Sequence, residues 1–291
     1  MVENTVVVVG SINMDLVART PVMPAPGETV LGTSFSTTPG GKGSNQAVAA
    51  AKCGAEVAFV GAVGDDTFAL ELRQALVDAE VDAELLREVD GPSGVAVITV
   101  DDTGQNSIVV AAGANTRVTE LTAAELRVIA GADVLLCQLE IPLRTVLAAA
   151  RHATEHDTVV MLNPSPARTL PNDLIAAVDV LVVNETEAAQ LGRDTLDRVP
   201  HVVTTLGAAG ARYRGPDGGT LTVDSPAVDA VDTTGAGDAF AGALASVWSR
   251  GRPRAALSFA CAAGALTATR PGASAASPTR AEVDALLRGR D

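Results

Sequence analysis

Six short runs of β-branched and apolar residues, alternating with longer helical patterns, constrain this chain more than any other feature. The runs are TVVVVG (5–10), EVAFVG (56–61), DVLLCQ (133–138), TVVMLN (158–163), DVLVVN (179–184) and HVVTTLG (201–207). Stretches such as TFALELRQALVDAE (67–80) and LRTVLAAARHATEH (143–156) lie between them. Strands alternating with helices predict an α/β fold: a central, mostly parallel sheet flanked by helices on both faces. Runs as apolar as VVVV and VLLC suit strands buried on both sides. The chain has 291 residues, 47% of them hydrophobic. With no linker composition and no 20–50-residue repeat, residues 1–291 read as one domain.

Two segments break the alternation. Residues 14–38 carry Pro, Gly and alternating polar residues, and GVAVITVDDTGQNSIVVA (94–111) reads as a β-hairpin with a DDTG turn. Together they predict a small β-sheet lid standing off the main domain. A face holding Val95, Val97, Ile108 and Val110 is too apolar for water, so it should cover a ligand or a partner subunit.

The formal net charge of -14 argues against nucleic acid and anionic membrane surfaces as partners. Three widely spaced cysteines, Cys53, Cys137 and Cys261, read as buried reduced thiols of a cytoplasmic protein. The residues before the first apolar run have no basic region, so no secretory signal is expected, and the sequon at Asn184 carries no weight. The longest apolar-rich stretch, 255–268, is too short and too rich in small residues to span a bilayer.

Four motifs carry candidate chemistry. In TTGAGDAF (233–240), the glycines let an anion approach the backbone, and the N–H groups of residues 235–238 lie at the positive end of a helix dipole. Asp238 falls in that first turn. It is either a dipole-favoured acid or a base that takes a proton from an acceptor hydroxyl while the amides hold a phosphate. In PGGKGSNQAVAAAKCG (39–54), Gly40, Gly41 and Gly43 lead into a helix over Ser44–Cys53. Either this is a glycine turn with Lys42 solvated, or a small polar ligand reaches the backbone there and meets Lys42 and Asn45. In GSINMDLV (10–17), Asn13 and Asp15 follow the first strand, where α/β folds bind ligands. Asp15 suits two hydroxyl hydrogen bonds from a polyol, and an Asx-type turn explains it equally. In NETE (184–187), Asn184 and Glu187 share a helix face, as a cap or as a carboxylate that holds Mg²⁺ through water.

There is no Gly-x-x-x-x-Gly-Lys-Ser/Thr and no Gly-x-Gly-x-x-Gly after the first strand. This excludes a P-loop NTPase and counts against a nicotinamide-dependent oxidoreductase. His152 and His156 are spaced i,i+4 but read as a solvated helix face, with no third-ligand context.

Taken together, the four motifs resemble the ribokinase branch of the ribokinase-like (PfkB) carbohydrate kinases, from GSINMD to TRPGA (269–273). The resemblance implies ATP-dependent phosphorylation of D-ribose at its 5-hydroxyl, and a homodimer formed through the lid. It implies that Asp238 is the catalytic base and that Gly235, Ala236 and Gly237 form the anion hole. Asn13, Asp15, Gly41, Lys42, Asn45 and Glu140 match sugar-contacting positions. Asn184, the loop Thr205, Leu206, Gly207, Ala208, Ala209 and Gly210, and Cys261 match nucleotide-side positions, with Glu187 assisting Mg²⁺. Asp232, Thr234, Arg270 and Gly272 match ligands of an activating K⁺, whose last serine falls near 274–277. The alternatives are the same chemistry on another sugar or a nucleoside, and a non-catalytic sugar-binding regulator. At 2% aromatic residues, the chain is poorly equipped to stack a nucleobase.

Overall fold

The computed structural model describes residues 4–248 and 251–289. In chain order the elements are β1 (Thr5–Val9), β2 (Asn13–Thr20), β3 (Ser34–Gly40), α1 (Lys42–Lys52), β4 (Glu56–Val63), α2 (Ala69–Asp78), β5 (Val81–Asp82), β6 (Leu86–Glu88), β7 (Gly94–Asp101) and β8 (Asn106–Ala111). Then come α3 (Ala123–Gly131), β9 (Val134–Cys137), α4 (Leu143–Glu155), β10 (Val159–Leu162), α5 (Asn172–Ala177), β11 (Val180–Asn184), α6 (Glu185–Leu191) and α7 (Arg193–Leu196). The chain closes with β12 (His201–Thr205), β13 (Ala211–Arg214), β14 (Thr220–Val223), α8 (Ala236–Val247), α9 (Pro253–Ala268) and α10 (Arg280–Arg288).

The large sheet has the order β14-β13-β12-β11-β10-β9-β1-β4-β5, with β6 also on β4. It is parallel from β12 to β5; β13 alone is reversed, pairing antiparallel with β12 on one side and β14 on the other. Period-two geometry explains the VVVV run: Val6 and Val8 enter the core layer under α1, α8 and α9, while Val7 and Val9 enter the layer under α4 and α5. After β1 the chain builds outward through β4 and β5, then returns to the other side of β1 for β9–β12. That reversal leaves a crevice at the carboxyl ends of the strands, beside β1.

Alanine and glycine let the helices of the first layer approach closely. A Cβ at Gly242 of α8 would stand 2.3 Å from the Gln46 carbonyl of α1. This contact brings the first turns of α1 and α8 together. Helix α1 starts at Lys42, two residues before the sequence pattern predicts, because Gly41 caps it at φ 94°.

The small sheet has the order β3-β2-β7-β8. Its register splits the apolar face expected from sequence. Val97 pairs with Val109 and Ile98 with Ile108. Val95 and Val97 therefore share a face with Val109, whereas Ile108 and Val110 lie on the opposite face with Ala96 and Asp15. A one-residue difference in register exchanges the faces, and the DDTG turn decides it. Both faces stay apolar and exposed: Val97 is 47% exposed, Val109 66%, Ile108 53% and Val110 48%. Among the described residues, no helix is long and apolar enough to cross a membrane.

Candidate active site

At the carboxyl ends of β10, β11 and β12 lies an open cleft of ≈ 550 Å³, the solvent in its mouth included. Lys42, Asn184, Glu187, Thr205, Gly235, Gly237 and Asp238 line it, together with Asn163, Ser165, Val182 and Val183. Residues expected on the sugar, phosphate and nucleotide sides thus meet in one space.

The glycines around Lys42 are dictated by close packing. A Cβ on Gly41 would stand 2.8 Å from the Asn13 amide nitrogen, and one on Gly43 2.5 Å from that of Ser11. The loop after β1 and the start of α1 consequently interlock. Ser11 Oγ donates to Glu140 Oε2 at 2.5 Å, and the Lys42 N–H donates to the same oxygen at 3.2 Å. Asn115 clamps the loop from behind. Its Oδ1 accepts from Ile12 N at 3.0 Å, and its Nδ2 donates to Asn13 Oδ1 at 2.7 Å.

Asp15, Glu140 and Asp238 converge here. Burial, then the negative charges of Glu140 and Asp238, push the Asp15 carboxyl up to about 7. Asn45 Nδ2 donates to Asp238 Oδ2 at 3.1 Å, while Asn45 Oδ1 is buried without a hydrogen-bond partner. Clustered acceptors with an orphan amide oxygen call for a ligand rich in O–H donors, which a neutral polyol supplies.

The residues expected on the phosphate side open α8. Gly235 caps it in the left-handed region at φ 74°, and a Cβ there would stand 2.6 Å from Ala273 Cα. Ala236 N–H closes a turn on the Thr233 carbonyl at 3.2 Å, and Gly237 faces the cleft. Asn184 and Glu187, expected on the nucleotide side, form a reciprocal capping box on α6. Asn184 Oδ1 accepts from Glu187 N at 2.8 Å, and Glu187 Oε2 accepts from Asn184 N at 2.9 Å. Thr205 ends β12, and a short 3₁₀ turn at Gly207–Ala209 follows, tied by Leu206 N–H to the Gly210 carbonyl at 2.8 Å. Cys261 lies in α9, buried in the core, and does not line the cleft.

Asp232 joins the two segments expected to hold a monovalent cation. Its Oδ1 accepts from Thr234 N at 2.9 Å and its Oδ2 from Gly272 N at 3.0 Å. Burial opposes its ionisation, but hydrogen bonds from Thr234 and Gly272 prevail and hold its carboxyl below the usual range. The Arg270 side chain turns away to pair with Glu282. At 274–277, the carbonyls of Ser274, Ala275 and Ser277 are engaged by Lys52 Nζ at 3.1, 3.4 and 3.2 Å.

The sequence reading missed a buried amide network beneath Asp238. Gln138 Nε2 donates to Gln46 Oε1 at 2.6 Å. Gln46 Nε2 donates to Asp238 Oδ1 at 2.9 Å and to Asn163 Oδ1 at 3.0 Å. Asn163 Nδ2 donates to the Val182 carbonyl at 2.9 Å. One signal was available: TVVMLN ends in Asn163 just as DVLVVN ends in Asn184, so both mark strand ends at the crevice.

Comparison with known proteins agrees with this geometry. The model of the pfkB family of carbohydrate kinases matches residues 3–280. The ribokinase of Bacillus subtilis is 42% identical, over 96% of this chain and 98% of its own. A crystal structure of ribokinase from Thermotoga maritima superposes with a TM-score of 0.90 at 34% identity, covering 98% of this chain and 99% of that one. Ribokinase of Arabidopsis thaliana complexed with ribose and ATP gives a TM-score of 0.90 at 31% identity, covering 99% of both chains. A sugar-kinase family match over nearly the whole chain, on a cleft with a helix tip at one end and converging carboxylates at the other, places this protein in the pfkB family of carbohydrate kinases.

Proposed function

We propose that this chain is a ribokinase, transferring the terminal phosphoryl group of ATP to the 5-hydroxyl of D-ribose to give D-ribose 5-phosphate and ADP. One observation carries the reading. Asp238 stands at the boundary of the cleft, in the first turn of α8, with both carboxylate oxygens gripped by amides of α1. A carboxylate so placed accepts the proton of the attacking hydroxyl as the new P–O bond forms. The Gly237 amide and the dipole of α8 stabilise charge on the transferring group. Asn13, Asp15, Asn45 and Glu140 orient the sugar hydroxyls, which lowers the entropic part of the barrier. Asn184 and the turn after Thr205 receive the nucleotide. A relative solved with ribose and ATP bound supports a site that takes both ligands. A bare pentose also suits a chain with one Trp and one Tyr better than a nucleoside does.

The residues present fit both expected metals. Glu187 keeps one carboxylate oxygen beyond its cap, and Mg²⁺, which retains several waters, needs few carboxylates. When bound, it neutralises phosphate charge. The Asp232 carboxylate, with the carbonyls of Thr234, Arg270 and Gly272, offers oxygen donors suited to K⁺. When bound, K⁺ stiffens the loop that carries the anion hole.

The lid supports a homodimer. Its Asp15 face lies over the sugar, leaving Val97, Val109 and the 66%-exposed Phe35 on the other face for a second copy. Lid segments 14–38 and 94–111 act within one catalytic domain, and a cytoplasmic location suits three buried cysteines outside any disulfide. The test is ADP release across pentoses, hexoses and nucleosides: ribose should exceed every other acceptor in kcat/KM, and a preferred nucleoside or hexose would replace the reading.

A further inference from the structure

Helix α4 ends in a group that the kinase reaction does not use. His152, Glu155 and His156 each present one ligand atom, and these atoms lie within 4.8 Å of one another. The sequence reading left the histidine pair without a third ligand; Glu155, one turn after His152, supplies it. The chain has only three histidines, and the third, His201, is buried against Tyr213.

The hydrogen bonds of the two rings fix their tautomers. His152 Nε2 lies 3.0 Å from the Leu126 carbonyl, and His156 Nδ1 lies 2.9 Å from the His152 carbonyl. A carbonyl oxygen only accepts, so each of these nitrogens carries the proton. In the neutral rings, Nδ1 of His152 and Nε2 of His156 are then the nitrogens with lone pairs. A ring N–H held by a backbone carbonyl, with the other nitrogen free, is the arrangement that orients metal-ligating histidines. His156 is also the C-cap of α4, where the negative end of the helix dipole favours a cation.

We infer that His152, Glu155 and His156 form a surface site for a divalent transition metal of the zinc type, with solvent as the fourth ligand. In a tetrahedral zinc site the donors sit roughly 3.3 Å apart, so small rotations of exposed side chains close the present spacing. The site is structural in kind. Helix α4 ends just before β10 begins, whereas the cleft lies beyond the carboxyl ends of β10, β11 and β12. A metal there clamps the last turn of α4 at the rim of the sheet opposite the chemistry.

The test uses the untagged full chain, titrated with Zn²⁺ against a chromogenic chelator and, separately, with Co²⁺ followed by its visible d–d bands. One equivalent should bind at about micromolar affinity, and the melting temperature should rise with Zn²⁺ by mass action. His152→Ala with His156→Ala should lose the binding, the bands and the thermal shift while keeping kcat. Glu155→Gln, which takes the charge from a direct ligand, should weaken affinity by about tenfold or more. Stoichiometric binding unchanged in the double variant would overturn the assignment, as would no saturable binding by the parent chain.

Discussion

Gln46 Nε2 donates to Asp238 Oδ1 at 2.9 Å, and no freedom of flip remains to that amide. Reversed, it would aim its oxygen at the Asp238 carboxylate and at Asn163 Oδ1, and its nitrogen at the amino group of Gln138. The carboxylate is thus oriented by a side chain that is 0% exposed. Gln46→Leu should lower kcat by about 10–100-fold through misplacement of the base, with KM for ribose within about threefold. Steady-state kinetics beside a melting curve check this; a kcat equal to the parent's in a folded variant would make Gln46 a packing residue only.

Asp15 gives a pH dependence whose sign follows from its environment. Burial and two neighbouring carboxylates raise its folded value to about 7, against 3.8 when unfolded. The folded state holds that proton more tightly, so this contribution to stability is full below about 4 and is lost as pH rises through about 7. The melting temperature of Asp15→Asn relative to the parent should therefore climb between those values and level off above them. A difference independent of pH would show that Asp15 is ionised throughout.

Much of the architecture was legible in the sequence, because each apolar run is a buried strand and each glycine cluster opens a helix at the crevice. What escaped depends on partners distant in the chain. Gln46 meets Asp238 only because Gly242 lets α8 settle onto α1, and no local pattern announces that contact. The lid's faces were misgrouped because Val97 and Ile108 read as one stripe until the hairpin register sets them apart. Glu155 went unread beside the histidine pair because nothing in a helix's periodicity reports where its neighbours' rings turn.

Gly235 combines a φ of 74° with Ala273 Cα standing where a Cβ would go. Gly235→Ala should cost about 1–3 kcal/mol from backbone strain, before that clash is added. Activity should fall with it, since the proposed anion hole starts at the same residue. Denaturant unfolding and kcat/KM measured on one preparation check both.

The loop beyond α9 is held from two sides, by Asp232 and by Lys52. Replacing K⁺ with Na⁺ or tetramethylammonium should depress turnover, and Asp232→Asn should remove the difference between the ions. Lys52→Met should raise the K⁺ concentration needed for half activation, because three carbonyls lose their tether. Indifference of the parent enzyme to the cation would discard the monovalent site.

Apolar residues on the outer lid face predict a dimer at micromolar concentration in sedimentation. Val109→Glu, a charge placed on a residue now 66% exposed, should shift the equilibrium to monomer without unfolding the main sheet. A parent chain that sediments as a monomer would leave that face without an occupant.

The most direct test of phosphoryl transfer through Asp238 is single-turnover kinetics of Asp238→Asn with ATP and ribose, beside ribose binding by the same protein. The expected result is a rate about 10²–10⁴ lower, with ribose affinity within about threefold of the parent, because a general base acts mainly in the transition state. A variant that transfers phosphate at the parent's rate would contradict it.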